Sequence, residues 1–266
     1  MSYDLASHLK GILLRTAPGF LPDRWMAPRI LTFLLTYRCN LRCTPCWQWG
    51  EQGLFRGMPK EQEDLQLDLD TLRSVIDDVA EDGPGIFLWG GEPFLHPDLV
   101  PFVEHVKSRG LYCSINTNGT FLPREAARLV DLGVDAIIVS VDGPREVHDR
   151  IRGMEGSFER IAAGVLSLRE ARNGNRNRPE IVVNTTISPG NQAVLLETLR
   201  TVEEMGADRM ILSQLWFTTE PIGKAGEDCF REKFNAPAGS WRGFVMDVSA
   251  LDTGLIAEQM RGMSLR

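Results

Sequence analysis

Hydrophobic and polar positions follow two periods along this chain. Short apolar runs recur at ILTFLLT (30–36), GIFLWG (85–90), LYCSINTNG (111–119), DAIIVSVDG (135–143), EIVVNTTIS (180–188) and DRMILSQLWF (208–217). Their length and their β-branched and aromatic content predict six strands. Between them the period changes to helical. DLDTLRSVIDDVAEDG puts Leu69, Leu72, Val75, Ile76 and Val79 on one face, with Asp68 or Asp70 placed to cap its start and Gly83 to end it. Helices are also predicted over 96–110, closed by Gly110, and over PREAARLVDLG, with Pro123 in its first turn and Gly133 at its end. Two more are predicted over 156–172 and 191–206.

Alternating strands and helices imply an α/β fold with a parallel sheet and helices outside it. Six strands do not close an eight-stranded barrel, so the expectation is a partial (β/α)6 TIM-like barrel with parallel strands over residues 30–217. Residues 1–29 read as an N-terminal helical extension, in which Leu5, Leu9, Ile12 and Leu13 share one face. Such a helix can pack on the main domain or lie on a membrane surface or partner. Residues 218–266 read as a tail or as the linker to a further domain. Within them TTEPIGKAGEDCFREKFNAPAGSW, rich in Gly, Pro and charge, reads as loop, and LDTGLIAEQMRGM as a short helix.

Composition narrows the function. The 266 residues carry a net charge of −7, which argues against bulk nucleic-acid binding. The apolar runs fall far short of the ~20 residues that span a bilayer, and polar residues interrupt the N-terminus where a signal peptide would be apolar. Five cysteines are too few for a disulfide scaffold. Clustered thiols without a secretion signal point to a reducing, cytoplasmic setting and to a metal or catalytic role. No dinucleotide fingerprint or P-loop supports NAD or ATP.

Three of the cysteines crowd into CNLRCTPC at 39–46, spaced C-x3-C-x2-C. Structural zinc normally takes four protein ligands, and no second pair is present: Cys113 falls in a predicted strand and Cys229 in the tail. Three thiolates also fit a [4Fe–4S] cluster with one iron left open. In parallel βα units the working groups gather at the carboxyl ends of the strands. The cysteine loop, GGEP (90–93), NTNG (116–119) and SVDG (140–143) all fall there.

With these motifs in this order, and with HDRIRG (148–153) after them, the chain resembles the radical SAM enzymes over residues 30–217. It is similar to the branch that often adds a C-terminal SPASM domain, a cysteine-rich module absent or truncated here. The resemblance implies that Cys39, Cys43 and Cys46 hold a [4Fe–4S] cluster and that S-adenosylmethionine chelates the open iron. Reductive cleavage then gives a 5′-deoxyadenosyl radical that abstracts hydrogen from a peptide or small-molecule substrate. An electron donor such as flavodoxin or ferredoxin is implied. The other class of function compatible with the thiols is a zinc- or cluster-binding regulatory module without catalysis.

The resemblance also assigns Gly90, Gly91, Glu92 and Pro93 to the methionine end of the cofactor. Gly90 and Gly91 permit close backbone approach, Glu92 faces the ammonium and Pro93 stiffens the turn. Ser140 and Asp142 are placed to bind ribose or carboxylate, although Asp142 equally fits a helix cap. Arg152 can pair with the methionine carboxylate. Asn118 and Asn184 can reach the nucleoside or make turn and core hydrogen bonds. His148 reads as structural. Where the family usually carries an aromatic residue before the third cysteine, this chain has Pro45, with Trp47 just after it. Either can supply the adenine contact. Trp47, Trp49 and Trp89 are expected to pack near the site and exclude water.

Overall fold

The computed structural model of this protein describes residues 27–173 and 178–264. Six strands form one sheet in the order β1-β2-β3-β4-β5-β6, and every neighbouring pair is parallel. They are β1 (Ile30–Leu34), β2 (Gly85–Trp89), β3 (Cys113–Thr117), β4 (Ala136–Ser140), β5 (Glu180–Thr186) and β6 (Arg209–Ser213). β1 and β6 are the two edges, so the sheet is an open partial barrel, as the rhythm of the sequence predicts.

The crossover helices are α1 (Lys60–Glu63), α2 (Leu69–Val79), α3 (Leu99–Ser108), α4 (Leu122–Asp131), α5 (Arg145–Arg152), α6 (Ser157–Ala171) and α7 (Leu195–Met205). Of the two candidate caps of α2, Asp68 is the one used: its carboxylate accepts the Thr71 N–H at 2.8 Å. The core lies between strands and helices. Ile86, Leu88, Ile115, Ile137, Val139, Ile181 and Val183 of the sheet meet Leu72, Ile76, Phe102, Leu122, Leu129, Ile161 and Val165 of the helices. Cys113 is fully buried there, a core thiol as expected.

Register aligns the working ends. Leu34 pairs with Trp89, Thr117 with Val139, Ser140 with Asn184, and Thr186 with Ser213. The loops that follow the strands therefore leave the sheet at one end, where βα enzymes carry their chemistry. The opposite end is stapled by carboxylates. Asp135 accepts Lys107 Nζ at 2.5 Å and the Cys113 N–H at 2.8 Å. Asp208 pairs with Arg172 at 2.6 Å and accepts the Ile181 N–H at 2.7 Å.

The segment read as loop after residue 218 contains α8 (Glu220–Phe234), with Pro221 in its first turn. Gly223 and Gly226 lower its intrinsic propensity, but packing decides. A side chain at Gly223 would run into the Trp241 ring, while Trp241 Nε1 donates to Glu227 at 3.0 Å. The short helix read near the end is α9 (Thr253–Ser264), and it packs on α7 through Gln259, whose side chain accepts the Leu196 N–H at 3.0 Å. The amphipathic run predicted at 5–13 lies outside the described residues. No helix among the described residues is long and apolar enough to cross a membrane.

Candidate active site

The loop after β1 carries Cys39, Cys43 and Cys46 over the carboxyl ends of the strands. Its turns are tight: the Cys46 N–H bonds Cys43 O at 3.1 Å, and the Gly50 N–H bonds Cys46 O at 2.8 Å. Two neighbours hold it. The Thr44 N–H bonds Ile151 O at 2.9 Å, which docks the loop on the end of α5 and gives HDRIRG its role. Asn40 accepts from Asn118 Nδ2 at 2.8 Å and donates to Thr120 Oγ1 at 3.0 Å, which clamps the loop to the end of β3.

Each thiol receives one donor. The Leu41 N–H points to Cys39 Sγ at 3.4 Å, the Trp49 N–H to Cys46 Sγ at 3.4 Å, and Arg152 Nη1 to Cys43 Sγ at 3.7 Å. Burial pushes Cys39 up to about 12 and also raises Cys43, against the lowering effect of Arg152. Partly buried thiols with hydrogen-bond donors aimed at their sulfurs are the chemistry of a metal-ligand set. Among the described residues no three His, Cys, Asp or Glu side chains are arranged around a single metal ion. Three thiolates match the number a [4Fe–4S] cluster takes from protein when one iron is left open.

The thiols open onto a cavity of about 320 Å³. Its floor is Gly90, Gly91, Asn116, Thr117, Asn118, Ser140, Asp142, Arg152, Asn184 and Thr186, and its far side Ser213, Gln214, Leu215 and Trp216. Gly90 has φ +145°, and a Cβ there would sit 2.7 Å from Thr36 O. The Gly91 N–H bonds that same Thr36 carbonyl at 2.8 Å, so the glycines lie flat against the start of the cysteine loop.

Several predicted residues bind one another. Glu92 is fully buried behind the cavity wall, where its carboxylate accepts Thr117 Oγ1 at 2.8 Å, the Asn118 N–H at 2.8 Å and the Phe94 N–H at 3.2 Å. Burial pushes it up to about 7 despite these donors. Pro93, also buried, begins the short 3-10 turn Pro93–Leu95. Asn118 lines the cavity, but its side chain is committed to Asn40 and to Thr120, whose hydroxyl it accepts at 2.7 Å. Asp142 and Arg152, expected as cofactor ligands, form a buried pair at 2.7 Å. Asp142 also accepts the Thr186 N–H at 3.1 Å, and its own N–H donates to His148 Nδ1 at 3.2 Å, which makes His148 structural. Asn184 accepts Ser213 Oγ at 2.6 Å.

Trp47 and Trp89 pack beside the site as expected, and Phe244 and Trp216, which the sequence did not point to, extend them into an aromatic wall. Trp47 stacks on Phe244, centroids 4.9 Å apart and rings 17° from parallel. Trp89 and Trp216 extend the wall at 6.2 Å from Trp47 and 6.3 Å from Phe244. Phe244 belongs to the segment read as tail, and nothing in a local pattern announces it. It reaches the site because the Thr218 N–H bonds Phe244 O at 2.8 Å just beyond the end of β6. Pro45 and Trp47 both line the cavity.

A parallel open barrel with three thiols over one cavity defines an enzyme of the cluster-dependent βα class. The Radical SAM superfamily model matches residues 33–213, and the chain belongs to that superfamily. Its members are enzymes that use a [4Fe–4S] cluster and S-adenosylmethionine. Among curated proteins the chain is 36% identical over 184 residues to the AdoMet-dependent heme synthase of Methanosarcina barkeri, covering 68% of this chain and 49% of that protein. It is 28% identical over 201 residues to the pre-heme d1 synthase of Dinoroseobacter shibae, covering 75% and 46%. The chain thus spans about half the length of the curated relatives it matches. Among solved structures, Streptococcus suis SuiB bound to S-adenosylmethionine aligns with a TM-score of 0.61 at 12% identity, covering 87% of this chain and 55% of that one. SuiB bound to its precursor peptide SuiA aligns at 0.56 and 12%, covering 79% and 43%.

Proposed function

We propose that this chain cleaves S-adenosylmethionine reductively and abstracts hydrogen from a peptide or small-molecule substrate in peptide modification or cofactor biosynthesis. The observation that carries this reading is the convergence of three donor-supported thiols and the Gly90–Gly91 floor on one cavity. Cys39, Cys43 and Cys46 would hold three irons of the cluster. When bound, the reduced cluster and S-adenosylmethionine supply a 5′-deoxyadenosyl radical.

This chain's own residues then bind, orient and exclude water. Gly90 and Gly91 let the strand end lie flat on the Thr36–Arg38 backbone, where a Cβ would clash, and line the cavity with their own backbone. Ser140 and Asn184 offer polar groups from β4 and β5 for the nucleoside or methionine end. Asp142 and Arg152 act as a pair, with Arg152 placing positive charge beside Cys43 and Asp142 fixing its direction. Glu92, Pro93 and Asn118 position the glycine floor and the cysteine loop. The aromatic wall keeps water from the reacting atoms and offers an apolar face to substrate. The electron is supplied by a carrier of the flavodoxin or ferredoxin type. Heme-related substrates of the relatives and the peptide of SuiB mark the two substrate classes to try first.

The test is anaerobic reconstitution followed by dithionite reduction with S-adenosylmethionine, reading 5′-deoxyadenosine by mass. Wild type should release it, and Cys43→Ala should not and should lose iron. A wild-type chain with an intact, reducible cluster that releases none under any substrate condition would sink the reading.

A further inference from the structure

The cysteine loop has a second concavity on its outer side. Arg42, Thr44, Trp49, Glu51, Arg56 and Gly57 line a groove there. Trp49 faces both ways. Its side chain also lines the main cavity, and its N–H donates to Cys46 Sγ at 3.4 Å. On the groove side the Arg42 guanidinium lies over the Trp49 ring, 4.4 Å from the centroid. Trp49 itself is pinned, with Nε1 donating to Tyr37 O at 2.7 Å. The groove is therefore built directly on the residue that touches a cluster-loop sulfur.

Its charge departs from that of the molecule. The chain as a whole carries −7. Arg42 and Arg56 are both exposed, and among the described residues neither enters an ion pair, in contrast to Arg38, which is 3.7 Å from Asp64. Arg42 spends its guanidinium on the carbonyls of Cys39 and Leu41, at 2.9 and 2.8 Å, which neutralise none of its charge. Glu51 is the single carboxylate lining the groove. An acidic partner would be repelled by most of this protein and admitted here.

We propose that this groove is the docking surface of a small acidic one-electron carrier protein. The inference rests on the proposed function, which requires one electron to reach the cysteine loop. In the step the reduced carrier loses one electron and the oxidised cluster gains it, and no bond to the protein forms or breaks. Trp49 lines the groove and its N–H meets Cys46 Sγ, so one residue joins the two.

The experiment uses the reconstituted chain with flavodoxin in its hydroquinone form as probe. Stopped-flow bleaching of the cluster gives the reduction rate, and oxidised flavodoxin titrated against the chain gives Kd. Arg56→Glu avoids the loop hydrogen bonds of Arg42 and should slow reduction and weaken binding by roughly tenfold at low salt. Glu51→Gln should change both in the opposite direction, by about twofold or more, and high salt should erase both effects. Reduction by the methyl viologen radical, which needs no docking surface, should not slow in Arg56→Glu. A cluster reduced normally by methyl viologen, with flavodoxin rate and Kd indifferent to both substitutions, would overturn the docking site and leave the function standing. Charge-dependent flavodoxin binding by a chain that holds no reducible cluster would support the docking site and overturn the functional reading.

Discussion

Arg152 Nη1 lies 3.7 Å from Cys43 Sγ while Nη2 of the same guanidinium lies 2.7 Å from Asp142. One buried cation thus joins the end of α5 to the cysteine loop and to the end of β4. Burial alone would lower its affinity for a proton, but Asp142 and the Cys43 sulfur raise it, so the charge stays. Arg152→Met should strand Asp142 as a buried unpaired carboxylate and cost about 3–5 kcal/mol in a urea melt. Adding Asp142→Asn should recover part of that loss. In the reconstituted protein, Arg152→Met should also lower the cluster potential, because a nearby positive charge favours the reduced form.

Glu92 and Asn118 form a second joint. The carboxylate accepts Thr117 Oγ1, the Asn118 N–H and the Phe94 N–H, and Asn118 in turn holds Asn40. Glu92→Gln replaces an acceptor with a donor facing donors. It should cost about 1–3 kcal/mol in a chemical melt and reduce iron retention through the loosened Asn40 clamp.

His148 gives a pH signature. Burial first, and Arg152 second, hold its pKa at about 3 against an ordinary 6.5. Between those values the unfolded chain binds a proton that the folded chain refuses. The contribution is therefore complete above about pH 6.5 and is lost progressively as pH falls toward 3. His148→Gln keeps an acceptor near the Asp142 N–H. It should flatten the slope of urea midpoint against pH between 5 and 7 relative to wild type, and an unchanged slope would refute the assignment.

Helix α8 separates two glycines by their surroundings. A Cβ at Gly223 meets the Trp241 ring, while a Cβ at Gly226 meets nothing within 4 Å. Gly223→Ala should destabilise by about 1–3 kcal/mol through overpacking. Gly226→Ala should stabilise by about 1 kcal/mol through helix propensity. Thermal melts of the two variants should move in opposite directions.

Phe244 tests the aromatic wall. Phe244→Ala removes the face on which Trp47 stacks, worth about 0.5–1.5 kcal/mol beyond area burial. Acrylamide should then quench more tryptophan fluorescence than in wild type.

By itself the sequence determined the strand and helix rhythm, the open parallel barrel and the three thiols, because these rest on local periodicity and on residue types with few other uses. Gly90 and Gly91 stood out as residues that permit close approach, but that the approach is by the Thr36–Arg38 backbone was not legible. What the sequence did not decide is partnership. Asp142, Arg152, Glu92 and Asn118 were placed at the right end of the barrel, yet whether each faces ligand or neighbour depends on partners as far as 109 positions away. Only the tertiary structure showed that they hold one another. It also turned a glycine-rich stretch into α8, since Trp241 packing outweighs weak helix propensity, and it brought Phe244 back over Trp47. Long-range contacts of this kind leave no periodic trace, because each is fixed by one hydrogen bond or one ring stack rather than by a repeating face.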